Sequence, residues 1–321
     1  MGITATPAAA ILPQWQQEEQ ESNQNEVALS QNGMMPLVSN TSLRNLGEGN
    51  VIKNSTGIPR EWLVELLQKY SATNNCTHDA HDVLRNKALV VAPMVDQSDL
   101  PFRVLCRKYG ANLCYTPMIH ARMFVNNEQG YRNKFWKKVV EANGDHHDRP
   151  LVVQFAGGDP SILAKAAKIV QGRCDAIDLN CGCPQSIAKR GNYGAYLLEQ
   201  EELVLQCIRA LRQAVPDTPI TVKVRLLPII PDDSTSNSTI HSSISHSISL
   251  YLKFIEAGVS LITVHGRNRF QKGSLMGSAD WHAIQQVVQV CGQYVPIIAN
   301  GSCASLQDVE ECLRVTGADG T

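Results

Sequence analysis

The chain has 321 residues, 43% of them apolar, with a formal net charge of −1, enough for one large soluble domain with a sizeable core plus appendages. No apolar run approaches the roughly 20 residues that a membrane-spanning helix needs. The opening MGITATPAAAILP and the acidic QWQQEEQES behind it resemble neither a secretory signal nor a transit peptide, so cytoplasm or nucleus is the expected compartment. There the ten cysteines are expected as reduced thiols. Cys181 and Cys183 form a C-x-C, but no second pair or nearby histidine completes a zinc set, and no metal site is expected.

Residues 1–57 are rich in Gln, Asn, Ser and Glu with little hydrophobic period, a composition that buries too little surface to offset ordering entropy. A disordered N-terminal tail is expected. Residues 58–87 read as a helical entry arm and connector: in IPREWLVELLQKYS, Trp62, Leu66 and Leu67 share one face, and a polar stretch follows. From 88 to 321, short apolar runs recur at ALVVAPM, LCYTPM, LVVQFAG, AIDLN, ITVKVRL, LITVHG and PIIANG. They alternate with helical patterns such as DPSILAKAAKIVQG, where Asp159 caps and Pro160 suits the first turn.

Seven β-α units in series predict a parallel sheet. The runs are apolar throughout yet end in Pro, Gly, Asn, Arg or His, which predicts strands buried on both faces with functional carboxyl ends. The predicted fold class is α/β, a (β/α)8 TIM barrel. TGADGT, Thr316 to Thr321, falls where an eighth strand would begin, so the barrel is expected to be truncated before strand 8, leaving two unpaired edges. After the fifth strand, Pro228 to Ser247 form a Ser-rich insertion carrying His241 and His246, expected as a mobile surface loop.

Within DLNCGCPQ, Asp178 to Gln185, Cys183 occupies a tight Gly-Cys-Pro turn at a strand end, where a thiol can face a bound ligand. Lys223 in its apolar strand reads either as a functional cation or as a snorkelling side chain. His265 reads either as a site residue or as a satisfied core histidine.

APMVDQSDLPFR, YGANLCYTPM, VQFAGGDP, DLNCGCPQ with AKRGNYGAYLL, VKVR, TVHGR with QKGSLMGSADW, and ANGS follow in order at the ends of successive strands. Together, over about residues 88–320, they resemble the tRNA-dihydrouridine synthases, closest to the eukaryotic branch associated with uridines 16 and 17 of the D-loop. The resemblance implies that 88–321 is an FMN-binding catalytic barrel that reduces the C5=C6 bond of uracil within tRNA, with NADPH or NADH recharging the flavin. Hydride delivery from flavin N5 to C6 leaves negative charge at C5, and an acid must protonate it. Cys183 is then that acid, since free thiols, with a reference pKa of about 8.5, are mostly protonated near neutral pH and yield the proton readily. A nucleophilic role would need an activating His or Asp, and the motif supplies none beside it.

By the same resemblance Pro93 and Met94 line the isoalloxazine ring, Gln154 bonds its polar edge, and Lys223 and His265 flank it. Asn300, Gly301 and Ser302 hold part of the phosphate, Asn180 contacts the uracil edge, and Lys189 and Arg190 a neighbouring phosphate or ribose. Cys181 stands where many relatives have Leu or Met, and Ser302 where many have Asp. The first adds an oxidisable thiol near the acid.

Residues 1–50 hold five glutamates against Arg44, leaving the rest about +3. Arg103, Arg107, Lys108, Arg122, Arg132, Lys134, Lys137, Lys138, Lys189, Arg190, Arg267, Arg269 and Lys272 are candidates for tRNA phosphate contacts around the barrel mouth. Two other readings stay open: an FMN-dependent small-molecule dehydrogenase of the dihydroorotate type, and a non-catalytic RNA-binding relative. The QKG stretch with SADW, and YTPM, favour the tRNA family over the first; intact Cys183, Lys223 and His265 argue against the second.

Overall fold

In the computed structural model the described residues are 57–71, 84, 86–139, 148–228 and 243–321. Most of the expected N-terminal tail, most of the connector and residues 229–242 of the Ser-rich insertion lie outside them. An entry helix, α1 (Trp62–Ser71), precedes β1 (Val90–Val91), α2 (Leu100–Lys108), β2 (Leu113–Tyr115), β3 (Ile119–His120), α3 (Ala121–Asn126) and α4 (Tyr131–Val139). Then come β4 (Leu151–Ala156), α5 (Pro160–Val170), β5 (Ala176–Cys181), α6 (Ser186–Arg190), α7 (Glu201–Ala214) and β6 (Ile220–Arg225). The last elements are α8 (Ser243–Glu256), β7 (Leu261–His265), α9 (Trp281–Cys291), β8 (Ile297–Asn300) and α10 (Leu306–Thr316).

The strands form one parallel sheet in the order β1-β2-β4-β5-β6-β7-β8, with the short β3 pairing onto β4. Helical crossovers make this order possible, because parallel neighbours cannot be joined by a tight hairpin. Local signals start the helices as expected. The Asp159 side chain accepts from the N–H groups of Ser161 and Ile162, and Pro160 opens α5. Ser305 and Asp308 form a reciprocal capping box on α10.

The edges expected to stay open are joined. Gly320 bridges in parallel to both Ala88 and Ile298. The Asp319 N–H donates to Ile297, the Gly320 carbonyl accepts from Ala299, and Thr321 exchanges bonds with Ala88 and Val90. Residues 319–321 thus link β1 to β8 through isolated bridges at Gly320, outside the seven strands of the main sheet path. A second difference concerns the insertion: its last residues, 243–247, begin α8, and the Ser247 hydroxyl accepts from Leu227 N–H at 2.9 Å, tying that helix to the end of β6.

Alternation along the strands sorts the side chains. Ile177, Leu179, Cys181, Val222, Val224, Ile262, Val264, Ile297 and Ala299 face the helices in the main core. Leu113, Val152, Ala176, Leu261 and Ile298 face inward as an apolar floor, which Trp62 and Leu63 of α1 seal from below. The Trp62 indole N–H donates to the Ser260 carbonyl at 2.9 Å, and the Arg60 guanidinium grips Asp319 at 2.9 and 3.1 Å. The expected entry arm is thus the barrel's bottom plug. Above the floor the inward positions turn polar (Tyr115, Gln154, Asp178, Thr221, Thr263), and then cationic or hydrogen-bonding (Asn180, Lys223, Arg225, His265, Asn300) at the carboxyl ends. That gradient places the chemistry at one end of the barrel.

Candidate active site

β5 ends in Cys181, and the chain then turns through Gly182 to Cys183. Asn180 holds the turn: its side-chain oxygen accepts from the N–H groups of Gly182 at 3.1 Å and Cys183 at 3.0 Å. The Cys183 carbonyl accepts from Ala195 N–H at 3.0 Å. Gly194, at φ +67°, packs so closely that a Cβ there would stand 2.5 Å from this carbonyl oxygen. Cys183, half-buried, joins Ala156, Ala188, Tyr193, Tyr196 and Met118 in a small apolar cluster on the rim. Cys181 points the other way, fully buried under the helices, where burial raises its thiol well above the ordinary range. It is not beside the proposed acid, as had been expected from adjacency in sequence.

A hydrogen-bond relay runs beneath the turn. Thr221 Oγ1 donates to Asp178 at 2.6 Å, Gln154 Nε2 to the other Asp178 oxygen at 2.7 Å, and Asn180 Nδ2 to Gln154 Oε1 at 2.8 Å. Strand register explains the contacts, since Gln154 pairs with Asp178 and Asp178 with Thr221. A carboxylate only accepts, so Asp178 turns the Gln154 amide outward from its nitrogen side, Gln154 offers oxygen to Asn180, and Asn180 offers oxygen to the turn. Burial raises the Asp178 carboxyl to about 6. Gln154 and Asn180 thus each spend the side-chain oxygen and one N–H within the protein.

On the neighbouring strands stand two cations and an imidazole. Lys223, register partner of Asn180, lines a cavity with Pro93, Tyr115, Thr263, Asn300 and Thr321. Its ammonium makes no hydrogen bond or ion pair to the described residues. Burial first, then Arg225, lowers it to about 8. Arg225 donates to the Gly182 carbonyl at 2.9 Å and to Asn268 at 2.8 Å, tying the Cys183 turn to the loop after β7. His265 is held neutral, lowered to about 2 by burial and then by Lys223, Arg225 and Arg267. Gly301, at φ +112°, leaves room for that ring, because a Cβ would meet His265 Cδ2 at 2.9 Å.

Two backbone turns complete the rim. After β1, the Ser98 hydroxyl accepts from Met94 N–H at 2.9 Å, and Ser98 N–H donates back to the Met94 carbonyl at 3.0 Å, fixing Pro93 and Met94. Arg103 supports this turn from the buried side, donating to Ser98 O at 2.6 Å and to Asp148 at 2.5 and 2.9 Å. After β8, the backbone N–H groups of Gly301 and Ser302 donate to no described residue, which suits an anion. The Ser302 hydroxyl is already engaged by Ala279 N–H and Arg267, both at 2.8 Å.

The basic candidates divide. Lys189 and Arg190 on α6, with Lys108 and Arg122, are exposed. Arg103 and Arg107 are buried against Asp148, and Arg267 is buried on the carbonyls of Met276 and Gly277, so none of the three is placed to meet phosphate. Arg269 pairs with Glu199 at 2.5 Å over the Phe270 ring. The side chains of Lys137 and Lys138 lie outside the described residues. Asp178, Thr221, Arg225, Tyr193 and Gly194 were not singled out from sequence. A charged residue inside the run AIDLN was the available signal for Asp178.

The model of the family described as Dihydrouridine synthase (Dus) matches residues 90–321. A tRNA-dihydrouridine(16/17) synthase (NAD(P)(+))-like protein of Mus musculus is 44% identical over 232 residues, 72% of this chain and 44% of the mouse protein. The tRNA-dihydrouridine(16/17) synthase (NAD(P)(+)) of Schizosaccharomyces pombe is 41% identical over 243 residues, covering 75% and 56%. That of Saccharomyces cerevisiae is 40% identical over 238 residues, covering 74% and 52%. The chain spans about half the length of these curated relatives.

Proposed function

Because the chain belongs to the dihydrouridine synthase family, we propose that it reduces a D-loop uridine of tRNA, at position 16 or 17. FMN is the resident cofactor in this reading, NADPH or NADH its reductant, and Cys183 the proton donor to C5. The observation that carries the reading is the placement of Cys183. It stands on the rim in a turn pinned by Asn180 and Arg225, one strand from the Lys223 ammonium, which has no partner among the described residues.

The residues fit FMN. The N–H groups of Gly301 and Ser302, which donate to no described residue, suit its phosphate, and Lys223, Pro93 and Asn300 line one cavity at the strand ends where the ring would lie. When bound, FMN supplies the hydride that adds to C6 of the uracil. Cys183 gives its proton to C5, and the thiolate left behind lies within electrostatic reach of Lys223 and Arg225. Neutral His265 neither competes for that proton nor adds charge. Lys189 and Arg190, exposed on α6 just past the turn, supply phosphate contacts. A flexible D-loop lowers the cost of bringing the base out of its stack. The reading places the protein in cytoplasm or nucleus, with tRNA as its partner.

The test incubates the reduced protein with unmodified tRNA and maps, by mass spectrometry, a gain of two hydrogens to a nucleotide. Cys183→Ala should keep flavin absorbance and lose the product; undiminished product would overturn the acid role. No gain from flavin-loaded wild-type protein would move the reading to a small-molecule flavin dehydrogenase.

A further inference from the structure

Nine cysteines lie among the described residues, and of these only Cys106, Cys183 and Cys303 are not fully buried. Burial pushes the Cys106 thiol up, as it does those of Cys114, Cys174, Cys181, Cys207 and Cys291. Cys303 differs because it has a second thiol beside it. Buried Cys312 of α10 shares a contact with it: both sulfurs touch one hydroxyl, Thr321 Oγ1, at 3.4 and 3.7 Å. The neighbouring Cys312, helped by the Thr321 hydroxyl, holds the Cys303 thiol below the ordinary range, while Cys303 and burial raise that of Cys312. Cys303 follows Ser302 directly in the turn after β8, and its thiol also leans on the Gly301 carbonyl at 3.7 Å.

We propose that Cys303 and Cys312 form a reversible disulfide site, with Cys303 the attacking thiolate, Cys312 the resolving thiol and a hydroperoxide the oxidant. The Cys303 sulfur attacks a peroxide oxygen, the O–O bond breaks, and water or an alcohol leaves as the sulfenic acid forms. The Cys312 sulfur then displaces hydroxide, which takes the Cys312 proton and departs as water. Two thiols lose two electrons to one peroxide. The new bond replaces the contacts of both sulfurs with Thr321 and pulls the turn toward α10. Trp281 reports that movement, because its indole N–H donates to the Gly301 carbonyl at 3.0 Å.

The disulfide does not depend on the catalytic reading, and its test needs no turnover. The protein is treated with hydrogen peroxide near equimolar ratio and its cysteine peptides are mapped without reduction, with tryptophan fluorescence followed in parallel. A Cys303–Cys312 linkage should form before any change at Cys106, shift the emission, and revert with a dithiol. Cys312→Ser should leave Cys303 as a sulfenic acid that a dimedone probe captures, and Trp281→Phe should abolish the emission change while the linkage still forms. Absence of the linkage in the wild type, or Cys106 oxidising ahead of Cys303, overturns the proposal. If Cys312→Ser does not fold, Cys303→Ser serves in its place: Cys312 should then resist peroxide, and its oxidation at the wild-type rate overturns the assignment.

Discussion

Gly194→Ala isolates the packing that holds the Cys183 turn. The residue sits at φ +67°, a conformation that costs an L-residue about 1–2 kcal/mol. The added Cβ would meet the Cys183 carbonyl oxygen at 2.5 Å and Cys183 Cβ at 3.0 Å. Restoring ordinary contact moves that oxygen by about 0.9 Å. The shift stretches the bond from Ala195 N–H, now 3.0 Å long, and forfeits about 1 kcal/mol. Urea unfolding should therefore show a loss of about 2–3 kcal/mol. A displacement of about 1 Å at a reacting group costs roughly a hundredfold in rate, to be read as single-turnover dihydrouridine formation. A variant within about 0.5 kcal/mol of wild type and within about twofold in rate would refute the packing argument.

Trp62→Ala opens the barrel floor and should cost about 3–5 kcal/mol by urea unfolding, with no change at the rim beyond that loss. Cys181→Ala should cost about 1 kcal/mol and leave dihydrouridine formation intact, the reverse of Cys183→Ala; loss of product would place Cys181 in the chemistry after all. Folded His265 stays neutral far below 6.5, whereas the unfolded imidazole takes a proton there, so the unfolded chain binds more protons as pH falls. The stability held by the neutral ring is full above about pH 6.5 and is lost on acidification at up to about 1.4 kcal/mol per pH unit. His265→Asn should flatten that limb of the urea profile, and equal slopes would contradict it.

The strands and their order were legible because buried parallel strands leave nearly unbroken apolar runs, and Asn180, Lys223, His265 and Asn300 mark where those runs meet the ligand end. Alternation carried more than adjacency did. Counting from inward-facing Asn180 puts Cys181 on the helical side, although the C-x-C spacing had suggested two neighbouring thiols. Charge was the least legible property. Arg103 and Arg267 look in sequence like Lys189, and only the folded chain shows that Asp148 and the carbonyls of loop 276–277 consume them. The link between β1 and β8 escaped because Asp319, Gly320 and Thr321 carry no strand signature; only their backbone bonds to Ala88, Val90, Ile297 and Ala299 bring the two edges together.

The seam at Gly320 joins segments that are remote in the chain: Arg60 meets Asp319 across 259 positions, and Ala88 pairs with Gly320. During synthesis at about 5–20 residues per second, β1 waits roughly 10–50 s for its second neighbour. Over that interval its free edge and the floor residues Trp62 and Leu63 are exposed to other chains. Contacts of such high order form late and slow folding. Destabilising changes at the seam, Arg60→Ala among them, should therefore show first as poor yield on the ribosome rather than as a weaker finished barrel.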